Sequence, residues 1–411
     1  MNLKKVYLVF FIFTTILPIK CYSYDYLESN KNNNLLSASS TLSEIPTINA
    51  KHSVILDRSS KTILYGKNEN EKCKMASTTK IMTCLVVIEN CNNLDQIITI
   101  SKKAAGTGGS RLGLKTNDQI TIKNLLYGLM MVSGNDAAVA LAESVAGSVE
   151  DFAILMNKKA ETIGLISTHF VTPHGLDEEQ HYTTAYELAI LTDYALSNDT
   201  FLKIVRTQNY TISINGYSKN LNNTNELLGY LEGVYGVKTG FTNGANRCLV
   251  TACKRGDLDI ICVVLGADTK KDRTKDSINL ITYAFNDFTL INLQEIINKD
   301  FETWKLNNSN SIIINKGLSS NLDLFLDTTQ IPYEKKAINK LLTQKITTSI
   351  SFSKNFEAPL KSNTIIGSMI ISIDNTNLFS IPILNKNVSK RRNSLFYLRE
   401  FTKNYFKYFQ Y

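Results

Sequence analysis

Histidine is scarce in this chain of 411 residues: His52, His169, His174 and His181 are all there is, and they fall at no metal-ligand spacing. The seven cysteines, Cys21, Cys73, Cys84, Cys91, Cys248, Cys253 and Cys262, form neither a zinc pattern nor a disulfide framework. Several lie in apolar runs, such as Ile260-Ile261-Cys262-Val263-Val264, where a cysteine serves as a small buried hydrophobe. These absences set aside a metal enzyme, and nothing implies a cofactor. The net charge of +8 is modest, and the body of the chain has no run of Lys and Arg interleaved with aromatics, so nucleic acid is not an expected partner. The N-terminal apolar run, Val6 to about Leu17, is shorter than the roughly 20 residues a membrane-spanning helix needs.

What is present begins with that run. Lys4 and Lys5 precede it, Pro18 follows, and Cys21 and Ser23 are placed for a cut after Ser23. Residues 1–23 therefore read as a secretory signal and the rest as exported. Residues 24–48, rich in Ser, Asn and Thr, read as a linker. With 43% apolar residues, the remainder can bury a sizeable core.

Residues 49–292 change period along their length. His52 to Leu56 and Thr62 to Tyr65 predict a hairpin. Helices follow: one starting near Ser77, two within 121–147 broken at Ser133-Gly134, then Val149 to Ile163 and Tyr182 to Leu196. Val234 to Val237, Cys248 to Cys253 and Ile260 to Leu265 predict strands, and Ser277 to Phe288 a closing helix. Strands, a helical block, then strands again describe an α+β fold, one sheet interrupted by a large helical insertion. Residues 293–385 carry short strand-like runs around Ile312, Leu324, Ile350 and Ile371 and predict a small all-β domain. In residues 386–411, Leu395, Leu398, Phe401, Tyr405, Phe406 and Phe409 share one side of a helix, with Arg399, Glu400, Lys403, Asn404 and Lys407 opposite and Lys390-Arg391-Arg392 just before. Such a helix lies in a membrane interface, here the cytoplasmic membrane; the alternative is docking on the β domain.

Three strings carry chemistry: Ser77-Thr78-Thr79-Lys80, Ser133-Gly134-Asn135 and Lys238-Thr239-Gly240. Each alone is weak; Ser351-Phe352-Ser353-Lys354 repeats the first inside a strand-like run. Together and in order they are specific. A serine hydroxyl needs a base, and three-residue helical spacing puts Lys80 on the face of Ser77. A lysine acts as base only when neutral, which burial and a second cation, Lys238, favour. A serine at a helix start offers its N–H to an oxyanion. Ser133 suits a proton relay, and Asn135 can orient Lys80 or hold a substrate amide. Lys238 and Thr239 suit a carboxylate, Gly240 admits a close backbone, and the Phe241 N–H can complete the oxyanion hole.

With these motifs, Pro173-His174-Gly175-Leu176-Asp177, Asn223-Thr224-Asn225 and Lys238-Thr239-Gly240-Phe241-Thr242 in view, the chain resembles the serine-type D-alanyl-D-alanine carboxypeptidases, low-molecular-mass penicillin-binding proteins with a β-lactamase/transpeptidase-like fold. The resemblance implies attack by Ser77 on the D-alanyl-D-alanine bond of a peptidoglycan stem peptide, and acylation of the same serine by β-lactams. It implies catalytic roles for Ser77, Lys80 and Ser133, and substrate contacts for Asn135, Lys238, Thr239, Gly240 and Phe241. It also implies a periplasmic place on the outer face of the inner membrane. His174 and Asp177 read as structural. Some relatives carry arginine where Thr224 stands, and Arg247 is a candidate substitute. An endopeptidase, a transpeptidase, a β-lactamase (no glutamate announces its deacylation) and a non-catalytic peptide-binding protein remain alternatives.

Overall fold

The computed structural model describes residues 44–319 and 322–408. The signal, most of the linker and Phe409 lie outside the described residues. The central sheet is antiparallel throughout, in the order Ile63–Lys67, His52–Asp57, Leu258–Ala267, Asn246–Arg255, Val234–Thr242. The chain leaves it after Lys67 and returns at Val234, so the helical block is an insertion between two sheet strands, as expected. Its helices include Lys80–Asn90, Ile122–Met131, Asn135–Ala146, Val149–Ile163 and Ala185–Leu196. Polar caps set their ends: Ser148 Oγ accepts the Asp151 N–H at 3.0 Å, and Thr184 Oγ1 accepts that of Glu187 at 3.0 Å.

The sheet is buried on both faces, which explains why its strands read as unbroken apolar runs. In Leu258–Ala267, Ile261, Val263 and Leu265 pack toward the helical insertion; Ile260, Cys262 and Val264 pack on the opposite side with Leu280, Ile281 and Ala284 of helix Lys270–Asp287. Two cores thus share one strand, and side chains alternate between them. Cys84, Cys248, Cys253 and Cys262 are buried within these cores, the role read from their neighbours.

The expected strands follow as a four-stranded sheet, Leu324–Leu326, Thr376–Asn385, Ile365–Ile373, Ile346–Phe352. A helix that strand alternation does not signal, Leu293–Asn308, precedes them. Leu293, Ile297 and Phe301, four residues apart, put one stripe of it against Met369, Ile371, Ile381 and Ile383. The second Ser-x-x-Lys copy lies here, Ser351 and Lys354 both exposed at a strand end. The last helix, Ser394–Tyr408, is fastened at its start, where Arg392 Nε donates to the Gly317 carbonyl at 2.7 Å. Beyond that anchor Leu395, Leu398, Phe401, Tyr405 and Phe406 are each more than half exposed, so the apolar side is not docked on the β sheet. No described helix is long and apolar enough to cross a membrane.

Candidate active site

Ser77 does not open an α-helix as expected. It sits in a 3-10 turn, Ala76–Thr79, and the α-helix proper begins at Lys80. The predicted geometry survives the tighter turn: Lys80 Nζ lies 2.8 Å from Ser77 Oγ. The same nitrogen is 2.7 Å from Asn135 Oδ1 and 2.9 Å from the His174 carbonyl, and Lys80 is fully buried. The two latter partners can only accept. A neutral amine has two N–H donors and one lone pair, so it satisfies both acceptors and turns its lone pair to the one partner that can donate, the Ser77 hydroxyl. Burial first, then the nearby Lys238 ammonium, hold the Lys80 pKa well below the usual lysine range, with Asp136 pulling the other way.

The second string lies where helix Ile122–Met131 ends and helix Asn135–Ala146 begins. Glycine is the residue suited to a sharp turn, yet Ser133 makes it, with φ of 62°. Gly134 is needed for space instead, since a Cβ there would stand 2.8 Å from Asp136 Oδ1 and 3.0 Å from the Leu112 nitrogen. Asn135 is held at both ends of its amide, Oδ1 by Lys80 and Nδ2 by the Gly108 carbonyl at 2.7 Å. Buried Asp136 pins the loop that supplies Gly108, accepting the Leu112 and Gly113 N–H groups at 2.7 Å each.

The third string is in Val234–Thr242, the edge strand of the sheet. Lys238 is buried and donates to the Thr239 carbonyl at 2.9 Å. Its pKa falls to about 7 through burial and then Arg273. Thr239 Oγ1 is 3.0 Å from Thr224 Oγ1, so the middle residue of Asn223-Thr224-Asn225 meets the third string directly. Gly240 lets the strand approach the turn Ala76–Thr79: its Cβ position is 3.2 Å from the Ser77 nitrogen and from Ala76 Cβ. Phe241 is half exposed, and the Arg247 guanidinium lies 3.6 Å over its ring centroid. Asp177 fastens the strand end, accepting from Thr242 Oγ1 at 2.7 Å and the Gly244 N–H at 2.9 Å, in keeping with its structural reading.

The structure adds groups that motif spacing missed. His174 enters through its carbonyl, which no side-chain pattern can signal; its imidazole is held neutral, the pKa lowered to about 3 by burial and then Lys80. Arg273 is buried, bonds Glu226 at 3.0 Å and faces Lys238. A sequence signal existed: Arg273 falls on the stripe of Ser277, Leu280, Ile281 and Ala284, the buried side of its helix. Among the described residues no group of His, Cys, Asp and Glu could hold a metal ion.

Comparison with known proteins identifies the family. A family profile described as Peptidase S11, D-alanyl-D-alanine carboxypeptidase, matches residues 39–269, and one for the penicillin-binding protein 5 C-terminal domain matches residues 301–391. The chain is 33% identical over 362 residues to the D-alanyl-D-alanine carboxypeptidase DacF of Bacillus subtilis, covering 85% of this chain and 88% of the relative. It is 31% identical to DacA of Haemophilus influenzae, covering 82% and 84%. The crystal structure of DacD from Francisella tularensis superposes with a TM-score of 0.70 at 25% identity, over 90% of this chain and all of that one. A Streptomyces DD-transpeptidase does so with a TM-score of 0.56 at 36% identity, over 59% and 98%. The profile over more than half of the chain and a relative one third identical along most of its length place the chain in the S11 family of D-alanyl-D-alanine carboxypeptidases.

Proposed function

We propose that Ser77 attacks the carbonyl between the two terminal D-alanines of a peptidoglycan stem peptide, with Lys80 taking its proton. The observation that carries this is the Lys80 amine, buried, held by the Asn135 and His174 oxygens and 2.8 Å from Ser77 Oγ, where its neutral form presents a lone pair to the hydroxyl. The N–H groups of Ser77 and Phe241 receive the oxyanion. Ser133 passes the proton to the leaving D-alanine amine. Asn135 takes the substrate amide, and Lys238 and Thr239 its terminal carboxylate. Water then releases the shortened peptide, while a β-lactam acylates Ser77 in the same way. Incubation with a stem pentapeptide, followed by mass spectrometry, shows loss of one D-alanine; Ser77→Ala abolishes it. No loss from the wild type, with intact penicillin acylation, sinks the carboxypeptidase reading. That outcome favours transfer to a second peptide, the reading to which the Streptomyces neighbour lends support.

The site then works outside the cytoplasm, facing the cell wall, on the outer surface of the inner membrane. The exposed apolar side of helix Ser394–Tyr408 supports this, with Lys390, Arg391 and Arg392 beside it. Basic residues near an anionic surface contribute on the order of 1 kcal/mol each. Deleting residues 390–411, which removes the basic triplet together with the helix, releases the protein from anionic vesicles in a flotation assay while leaving penicillin acylation intact. Retained binding rules out the helix as anchor.

A further inference from the structure

His181 is buried in the insertion and was read as part of no site. Its Nδ1 faces two backbone donors, the N–H of Val171 at 3.0 Å and that of Thr172 at 3.4 Å. Nδ1 must therefore carry the lone pair, and the ring proton is on Nε2. Nε2 is 2.8 Å from Thr79 Oγ1, so the imidazole donates to that hydroxyl. Thr79 spends its single proton on the Ala76 carbonyl, 2.7 Å away. Every donor in this chain is thereby assigned, from the Val171 backbone to the residue preceding the nucleophile.

Ala76 has a reason to be held. Its φ of 49° is left-handed, a conformation that costs a residue with a Cβ about 1–2 kcal/mol. The Ala76–Ser77 peptide is trans and planar, so its C=O and N–H point in opposite directions. Fixing the carbonyl on Thr79 aims the Ser77 N–H away from it, toward the edge strand, where Gly240 lies against the Ser77 nitrogen. There a donor can meet the oxygen of a carbonyl under attack by Ser77 Oγ.

We propose that His181 is a positioning residue for the oxyanion site: through Thr79 it clamps the Ala76 carbonyl and so aims the Ser77 N–H. The clamp rests on Ser77 being the nucleophile. It acts on the covalent steps, since the oxyanion forms in acylation and again when water attacks the acyl-enzyme, and not on noncovalent binding of the acylating agent. Misaiming one such donor is expected to cost about 10- to 100-fold, somewhat less than the roughly 100- to 1,000-fold of deleting it.

Two substitutions divide the imidazole's jobs. His181→Asn keeps an acceptor near the Val171 N–H and loses the donor to Thr79. His181→Gln can place its amide N–H where Nε2–H stands. In the full-length protein, stopped-flow acylation by a chromogenic cephalosporin separates the acylation rate constant from the binding constant. The clamp requires His181→Asn to lower the rate constant about 10- to 100-fold at an unchanged binding constant and melting temperature, and His181→Gln to recover most of the rate. Thr79→Val is expected to behave like His181→Asn, and the double variant to be no worse than either alone. An unchanged rate in His181→Asn overturns the clamp. So does a loss that tracks the melting temperature or the binding constant, or a His181→Gln as slow as His181→Asn. If His181→Asn does not fold, the comparison of Thr79→Val with Thr79→Ser decides by the same criteria. Ser77→Ala separates this inference from the one beneath it. If that variant is still acylated, the nucleophile reading fails; if it is inert while His181→Asn is unaffected, the clamp alone fails.

Discussion

Lys80→Ala abolishes acylation of Ser77 by penicillin together with peptide turnover, each falling about a thousandfold or more. The size follows from the three contacts of the lysine nitrogen. Removing it leaves Ser77 Oγ without a proton acceptor and strands the Asn135 amide oxygen and the His174 carbonyl, both of which it satisfied. Single-turnover acylation is the measurement, and a near-normal rate removes Lys80 as the base. The pH profile carries the same argument. Burial and Lys238 disfavour the charged amine, so the rate rises with pH as Lys80 gives up its proton, along a limb lying below the range of an ordinary lysine. Lys238→Gln removes the like charge, the Lys80 pKa climbs, and the limb moves to higher pH. A limb that stays in place assigns the effect to burial alone.

Gly175→Ala costs about 2–5 kcal/mol of folding stability, a large part of the roughly 5–15 kcal/mol a protein of this kind has. Gly175 has φ of 83°, and a Cβ on it would overlap the Ala76 carbonyl oxygen and crowd Thr79 Oγ1. Both atoms are backed by fixed structure, so neither can give way cheaply. Gly164→Ala is the control: its φ of 87° is as left-handed, but no atom lies near its Cβ position. It is expected to lose only the conformational part, about 1–2 kcal/mol. Urea midpoints compare the two; equal losses mean that the overlap relaxes.

The central-sheet strands and the longer helices between residues 49 and 292 were legible because each buries a face whose period shows in the sequence; the short helix Asp199–Val205 and the hairpin Asn209–Ile214 with Tyr217–Asn222 were not read. The run Ile260 to Leu265 read as fully buried, and it divides its side chains between two cores. Helix Leu293–Asn308 was missed because only Leu293, Ile297 and Phe301 of its residues are buried, a stripe too thin to stand out among polar neighbours. In the site, the motif side chains could be named, since their chemistry resides in residue type. Ser77, Lys80 and Asn135 meet in one bonded group, while the left-handed turn falls on Ser133 rather than on Gly134. The His174 carbonyl, the Gly108 carbonyl and the left-handed Ala76 were not legible. Backbone groups have the same chemistry in every residue, and only the fold decides which of them reaches the site.

The burial of Lys80 has one consequence for the molecule before it folds. In an extended chain that lysine is solvated and charged near neutral pH, about three units below its ordinary pKa of roughly 10.4. The serine beside it then has no base, and its hydroxyl is as inert as any other. On the proposed mechanism, reactivity requires Asn135, His174 and the edge strand to close around the amine, so a β-lactam is expected to label the folded enzyme and pass over the unfolded chain. Covalent labelling is therefore a count of molecules that have finished folding.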